Sequence, residues 1–455
     1  MPRADPPLPR RDFFAKAAAL LTLGGVEVQS GAEPSWLWTG AVTATTATVL
    51  CGFPEVTGEV PPLLVSTRRD LSGARPASGR AILAPSRRYE KRAVVEYALT
   101  GLSANQEYFG GFRVDGGTRV RFRTFGAGPF SFTAAFSSCA GGTRVVPMSH
   151  VSNSRVFDAI AELDPHVFIH MGDLHYYNLI GAARPLAPMV ARYRRSLDRV
   201  LSQEHQALLY RRTPIVYMWD DHDYGRDESD GNSPTRDAAR AYYATDIPHY
   251  PLPLGPNADG PISQVFDIGR VRFLVTDVRS ERKPAERTML GMPQFQWLFE
   301  ELGKAAAARL PLVVWVNPVP WITVDGDGHG WGMYAAERKA IGDRITQLGL
   351  NSRLVMLSGD AHMLAFDDGR NNANGGFVVA QAAPLDRFLR YKGGPYSNEP
   401  PRQRNGQFAT LQVEDTGTTL TATLQGYRHD DGRPVLVPET RLRLRCAGQR
   451  CELVP

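Results

Sequence analysis

The 455-residue chain is poor in cysteine: the four residues at 51, 139, 446 and 451 are too few for a disulfide scaffold, so buried apolar side chains must carry its stability. No stretch approaches the ~20 uninterrupted apolar residues needed to span a bilayer, which excludes an ordinary transmembrane helix from the mature protein. Repeats of fixed period, low-complexity tracts and long basic blocks are missing too. The formal charge of +5 arises from 52 basic and 47 acidic residues spread along the chain, so no stable nucleic-acid complex is expected, although the mild surplus favours approach of anionic substrates. Ser137 and Ser138 stand in no GxSxG elbow and no Ser-His-Asp arrangement is evident, so a serine nucleophile is not indicated.

What is present describes a globular, turn-rich protein. Hydrophobic residues make up 43% of it, and 43 glycines and 34 prolines are distributed throughout, which fits two or three units at roughly 150 residues each. At the N-terminus Arg10 and Arg11 precede Phe13, Phe14, Lys16 and a short apolar stretch from Ala17 to Val26. That order has the form of a twin-arginine export signal over residues 1–33, implying the twin-arginine machinery as a partner and a periplasmic or secreted location. The alternative is an ordinary amphipathic N-terminal helix. Cys446 and Cys451 stand five apart, close enough to shut a small loop in an oxidising compartment, while Cys51 reads as a buried apolar residue.

Residues 34–126 consist of short alternating strands and turns, with Tyr108 after an LSANQ corner and a DGG turn at 115–117, which predicts a small β-sandwich of fibronectin or immunoglobulin type. AGPF at 127–130 is the linker. From 129 to 455 strands and helices alternate, predicting a layered α/β core with a mixed sheet and a β-rich C-terminal segment. In it SNSRVFDAIAEL is expected to be a helix capped by Ser152 or Asn153.

Chemistry gathers at the ends of apolar runs. HMGDLHYYN at 170–178, MWDDHDYG at 218–225 and LSGDAHM at 357–363 each close a buried-strand pattern with acids and histidines, the place where sheets deliver functional side chains. Asp173, Asp220, Asp221 and Asp360 brought together would repel one another in a low-dielectric pocket, and a metal ion is the simplest neutraliser. Tyr176, three residues after Asp173, supplies a phenol suited to a hard, highly charged metal. His362 reads as an imidazole ligand and Asp360 as a ligand or the orienter of one. Asp220 and Asp221 would face opposite ways on a regular strand, so one is expected at the metal and the other at a second ion or the turn backbone. His222 is placed either to donate a proton to a leaving alkoxide or to bind a phosphate oxygen. Asp227, Glu228 and Asp230 form either a solvated loop or a further calcium site. Arg279 and Arg282 follow a strand end and carry guanidinium forks for phosphate, with pairing to Asp277 or Glu281 as the alternative. Asn317 is a further strand-end polar residue.

These motifs, with SSCA at 137–140 and DVRSER at 277–282 in the same order, resemble the alkaline phosphatase D, or PhoD-like, family of calcineurin-type metallophosphatases over nearly the whole chain. The resemblance implies a phosphate-ester hydrolase using Fe3+ with one or two Ca2+ ions, Zn2+ or Mn2+ being the alternative. It implies Cys139, Asp173, Tyr176 and His362 around iron, Asp173 bridging to calcium, and Asp220 and Asp360 helping to hold calcium. His222, Asp221 and Arg279 are the catalytic candidates. Substrates would be small phosphate esters or phospholipid- or nucleotide-like molecules. A phosphodiesterase or phospholipase D-type activity is the close rival, and a secreted calcium-containing binding module the rival of another class. Asp223 departs from the Asp-Asp-His-Glu pattern of many members, and Asn232 is the candidate for the family's asparagine ligand.

Overall fold

The computed structural model describes residues 33–54, 60–82, 92–141, 150–181, 185–388, 390–400, 405–448 and 450–454, so residues 1–32 of the export segment lie outside the described residues. The N-terminal strands are β1 (Trp36–Gly40), β2 (Ala47–Phe53), β3 (Leu63–Ser66), β4 (Arg75–Ala77), β5 (Arg80–Ile82), β6 (Ala93–Leu99), β7 (Glu107–Gly111) and β8 (Arg119–Arg123). They form one set ordered β1-β2-β6-β5 and a separate four-stranded sheet β4-β3-β7-β8. The Tyr108 hydroxyl accepts from the Ser103 backbone at 2.8 Å, tying the corner before β7.

This N-terminal layer is fused to the core. A single parallel pair, Gly40 with Ile215, continues β1 into the central sheet. Only glycine suits that joint, because a Cβ on Gly40 would lie 2.6 Å from the Pro248 carbonyl and 2.7 Å from that of Ile215.

The core strands β9 (Phe132–Ser137), β10 (Val167–Met171) and β11 (Ile215–Met218) are parallel neighbours. They share a sheet of 11 strands with the N-terminal set and with the C-terminal strands β18 (Gln407–Asp415), β19 (Thr419–Asp430), β20 (Arg433–Ala447) and β21 (Arg450–Leu453). A second, six-stranded sheet comprises β12 (Gln264–Ile268), β13 (Val271–Val275), β14 (Leu312–Asn317), β15 (Leu354–Ser358), β16 (Leu364–Asp367) and β17 (Val378–Ala382), with β13, β14, β15 and β17 parallel.

Strand alternation decides what each face buries. Phe273, Val314, Val316, Val355 and Leu357 join Ala134, Phe136 and Ile169 in the core between the two sheets. Leu274, Val313, Trp315 and Met356 point the other way, onto α6 (Gly291–Ala307) and α7 (Ala335–Gln347). On the outer face of the large sheet lie α1 (Val156–Glu162), α2 (Leu186–Leu201), α3 (Glu204–Arg212) and α5 (Arg236–Asp246), where Phe168 stacks on Tyr210 of α3 at 6.4 Å. The one-turn α4 (Asp221–Tyr224) caps β11. The expected fold class, a layered mixed-sheet α/β core after an all-β N-terminal region, is the observed one. Among the described residues no helix is long and apolar enough to cross a membrane.

One local expectation differs, and one is met. The first residue before α1 is Arg155, with no side-chain cap, because Ser152 donates instead to Asp386 at 2.5 Å and Asn153 accepts from the His205 backbone. Cys446 and Cys451 are joined by a disulfide, across a directly paired position of β20 and β21.

Candidate metal centre

Four loops meet beyond the carboxyl ends of β9, β10, β11 and β15, so the two sheets each contribute to one pocket. Their backbones are unusual: Cys139, Asp173, Asp360 and His362 adopt φ of 63°, 56°, 59° and 48°, a region that non-glycine residues enter at a cost of about 1 to 3 kcal/mol each. Strain of this kind persists only where surrounding contacts enforce it. The glycine of the GDLHY loop is one enforcer, since a Cβ on Gly172 would stand 2.3 Å from the Cβ of Asp220. That close approach brings the second loop onto the third.

Cys139, Asp173 and His362 place one potential ligand atom each so that all lie within 4.8 Å of one another. The Tyr176 hydroxyl joins them, donating to Asp173 Oδ2 at 2.6 Å and lying 3.3 Å from His362 Nε2. All four side chains are buried, none more than 6% exposed. The thiol is also 3.2 Å from Ser138 Oγ, and that hydroxyl accepts from the Asp360 backbone at 3.2 Å, linking the first loop to the fourth.

A second group, Asp173, Asp221 and His222, meets the same distance criterion and shares Asp173 with the first. Asp173 Oδ1 accepts the His222 backbone N–H at 3.2 Å, and the His222 ring lies 4.2 Å from that of Tyr176. His222 Nδ1 sits 2.5 Å from Asn178 Oδ1, and Nε2 faces Asp227 at 3.4 Å.

Asp220 and Asp360 stand beside these groups, each engaged by a cation. Arg279 Nε donates to Asp220 Oδ1 at 2.5 Å, and Lys392 Nζ to Asp360 Oδ1 at 2.6 Å. Arg279 also reaches Glu228 at 3.2 Å and Asp221 at 3.8 Å, and it is only 1% exposed. Arg282 donates to Glu228 at 3.0 Å and to the Tyr334 hydroxyl at 2.6 Å.

The electrostatics are those of a pocket built for a cation. Burial, followed by the neighbouring carboxylates, pushes the Cys139 thiol, the Asp173 carboxyl and the Tyr176 phenol well up. Asp220 is also raised by burial, against the pull of Arg279. Burial lowers His362 to about 4, so its imidazole is neutral and able to ligate. For Asp221 burial is outweighed by Arg279 and His222, which hold the carboxyl well below its usual range. A bound metal ion reverses the penalties on thiol, phenol and carboxylate, and deprotonates a coordinating thiol. The residues fit such an ion on a direct observation: Asp220 Oδ2, Asp360 Oδ2 and His362 Nδ1 are buried with no hydrogen-bond partner in the protein.

Of the nine residues singled out in the sequence, Cys139, Asp173, Tyr176, His362, Asp221 and His222 converge directly, and Asp220 and Asp360 flank them. Arg279 is the exception in kind. It is neither at the surface nor paired with Asp277 or Glu281, but lies beneath the carboxylates with its guanidinium already engaged. Asp277 is held by Trp219 Nε1 and the backbones of Arg279 and Ser280, and Glu281 by Arg240. Among the described residues the loop acids Asp227, Glu228 and Asp230 fall in neither group of clustered ligand atoms; Glu228 is neutralised by two arginines, and burial that would raise it loses to them, leaving its carboxyl at about 2. Asn317 bonds Val319 and Trp331 rather than facing the pocket, and Asn232 is exposed on a turn.

The sequence reading missed three contributors. Lys392 belongs to no motif. Arg387 lays its guanidinium 4.0 Å over the Tyr176 ring. Asp223, the departure from the family pattern, is a clamp: it accepts from the Leu174 backbone at 2.9 Å, the Asp220 backbone at 2.7 Å and the Tyr217 hydroxyl at 2.6 Å.

Comparison with known proteins gives a consistent picture. A family model described as PhoD-like phosphatase matches residues 135–380. A solved structure of PhoD superimposes with a TM-score of 0.64 at 17% identity, covering 93% of each chain. The purple acid phosphatase PPD1 from yellow lupin (Lupinus luteus) seeds gives 0.63 at 13% identity, covering 91% of this chain and 75% of its own. No curated protein matches this chain in sequence.

Proposed function

The chain belongs to the PhoD-like phosphatase family and is a hydrolase of phosphoric esters; on that premise we propose that it is a secreted phosphomonoesterase with a ferric ion and calcium in the pocket described above. The observation that carries the reading is the meeting of thiol, phenol, imidazole and carboxylate at Cys139, Tyr176, His362 and Asp173, four side chains from three loops. Structural calcium sites use oxygen ligands, so a thiol and a phenol at the same point favour a transition metal.

In this proposal Cys139, Asp173, Tyr176 and His362 hold iron, and Asp173 with Asp220 and Asp360 holds calcium. Bound there, the metals supply Lewis acidity toward the phosphoryl oxygens and a water of lowered pKa. The protein's own groups do the rest. Asp223 keeps the Asp173 and Asp220 loops in register through its three accepted hydrogen bonds. His222, held at Nδ1 by Asn178, presents Nε2 at the accessible side of the pocket, and as the imidazolium it gives its Nε2 proton to the departing alkoxide and is left neutral. Asp221 orients His222 by accepting its backbone N–H at 2.9 Å. Arg279 acts through Asp220 as a positioning residue. Export by the twin-arginine route, carried by Arg10 and Arg11, completes the proposal.

The test is turnover of p-nitrophenyl phosphate against its bis-ester, with metal content measured on protein purified without added metal. Asp173→Ala should lose at least about a hundredfold in kcat, together with its iron, while keeping its far-UV circular dichroism. Full activity in that variant removes the assignment; faster turnover of the bis-ester moves it to a phosphodiesterase.

A further inference from the structure

Lys392 is a cation with no task in the scheme above. Its side chain is 11% exposed and its Nζ donates to Asp360 Oδ1, while Asp360 Oδ2 is buried without a partner. Asp220 repeats the arrangement, with Oδ1 held by Arg279 and Oδ2 buried and unpartnered. Each carboxylate therefore gives one oxygen to a fixed positive charge and keeps the other buried and unpartnered. Lys392 also lies within electrostatic reach of Asp221 and Glu228. Asp173 differs: both its oxygens accept neutral donors, the Tyr176 hydroxyl and the His222 backbone, and no lysine or arginine bonds it among the described residues.

A divalent ion on the unpartnered oxygens of Asp220 and Asp360 would thus feel a guanidinium and an ammonium one carboxylate's width away. Repulsion at that range in a buried site weakens binding severely. An ion on Cys139, Asp173, Tyr176 and His362 has Arg387 over the Tyr176 ring at 4.0 Å and Lys392 within electrostatic reach of His362, but among the described residues no lysine or arginine in hydrogen-bond contact with its ligands.

We propose that Lys392 is a built-in cation of this centre, taking up part of the charge of Asp360 so that an ion on the Asp220 and Asp360 side is held loosely and exchanges, whereas the ion on the Cys139 side stays. The inference rests on the metallophosphatase reading given above. It makes Lys392 a positioning residue that sets which metal leaves.

The experiment compares the full-length wild type with Lys392→Met and Lys392→Arg, measuring calcium affinity by titration calorimetry and iron content by elemental analysis after dialysis against a calcium-selective chelator. Wild type should keep its iron and lose its calcium. Lys392→Met should bind calcium at least about tenfold more tightly, from loss of a unit charge beside a divalent ion. Lys392→Arg, which keeps the charge, should stay near wild type, a pattern that general loosening of the fold would not produce. Unchanged calcium affinity in an iron-loaded Lys392→Met protein overturns this inference alone. Absence of any bound metal in folded wild type overturns the metallophosphatase reading as well.

Discussion

Replacing Arg279 by methionine should be among the most damaging changes available outside the metal ligands. The guanidinium is 1% exposed and compensates Asp220 at 2.5 Å, Glu228 at 3.2 Å and Asp221 at 3.8 Å. Methionine fills much of the same volume, so the loss is chiefly electrostatic. Removing one partner of a buried pair costs about 3 to 5 kcal/mol, because the remaining charge is left desolvated and unpaired. A pair at an effective dielectric of about 20 and a separation of ~4 Å is worth about 4 kcal/mol, which agrees. Metal-depleted Arg279→Met should therefore melt several degrees below the parent, and added calcium should recover more of its midpoint than of the wild type's, since cations now bind uncompensated carboxylates. The pH dependence follows from Glu228. Its carboxyl is depressed to about 2 in the fold, so its stabilising contribution is present above the unfolded value near 4.5 and is lost as pH falls toward 2. Without Arg279 that depression relaxes, and the gap between variant and parent should close below pH ~4 as the carboxylates protonate. The exposed pair Lys339 and Asp343 serves as the control: Lys339→Met should shift the midpoint negligibly. An Arg279→Met midpoint within about 1 °C of wild type in metal-depleted protein would refute the view that this arginine is the pocket's main counter-charge.

Two further predictions use other parts of the structure. A Cβ at Gly141 would lie 1.9 Å from the Tyr176 ring, which Arg387 and His222 already confine at 4.0 Å and 4.2 Å. Gly141→Ala should consequently displace the phenol and lower iron retention at least about tenfold without altering any ligand, as measured by elemental analysis; retained iron would show that the ring has room to move. His170 is fully buried in β10, and burial depresses it to about 3. Between pH 6.5 and about 3 the unfolded chain binds the additional proton, so the stability that His170 contributes is complete above 6.5 and declines as pH falls. His170→Leu should reduce the acid-side slope of unfolding free energy by about 1.4 kcal/mol per pH unit, and an unchanged slope would mean that the imidazole finds a partner when charged.

The motif residues were legible because ligands follow apolar runs: Val167–Met171 predicts a buried strand, and Gly172 with Asp173 must then lie at its end. The same logic placed Asp220 after β11 and His362 after β15. Two limits of local reading stand out. Ser152 has the right identity for a helix cap, but Asp386, distant in the chain, claims its hydroxyl. Arg279 has the right identity for a substrate fork, but the fold covers it with three acids that no spacing rule connects to it.

Composition and periodicity sufficed for the layered α/β class, the all-β start and the identity of most side chains lining the pocket, because burial patterns and strand termini are properties of contiguous segments. Which charges neutralise which could be read only after folding. Lys392 reaches Asp360, Asp223 ties Leu174 to Asp220, and Gly40 grafts the N-terminal sheet onto β11, each through contacts between segments remote along the chain. Electrostatic pairing depends on separation in space, and separation in space is set by how the two sheets pack.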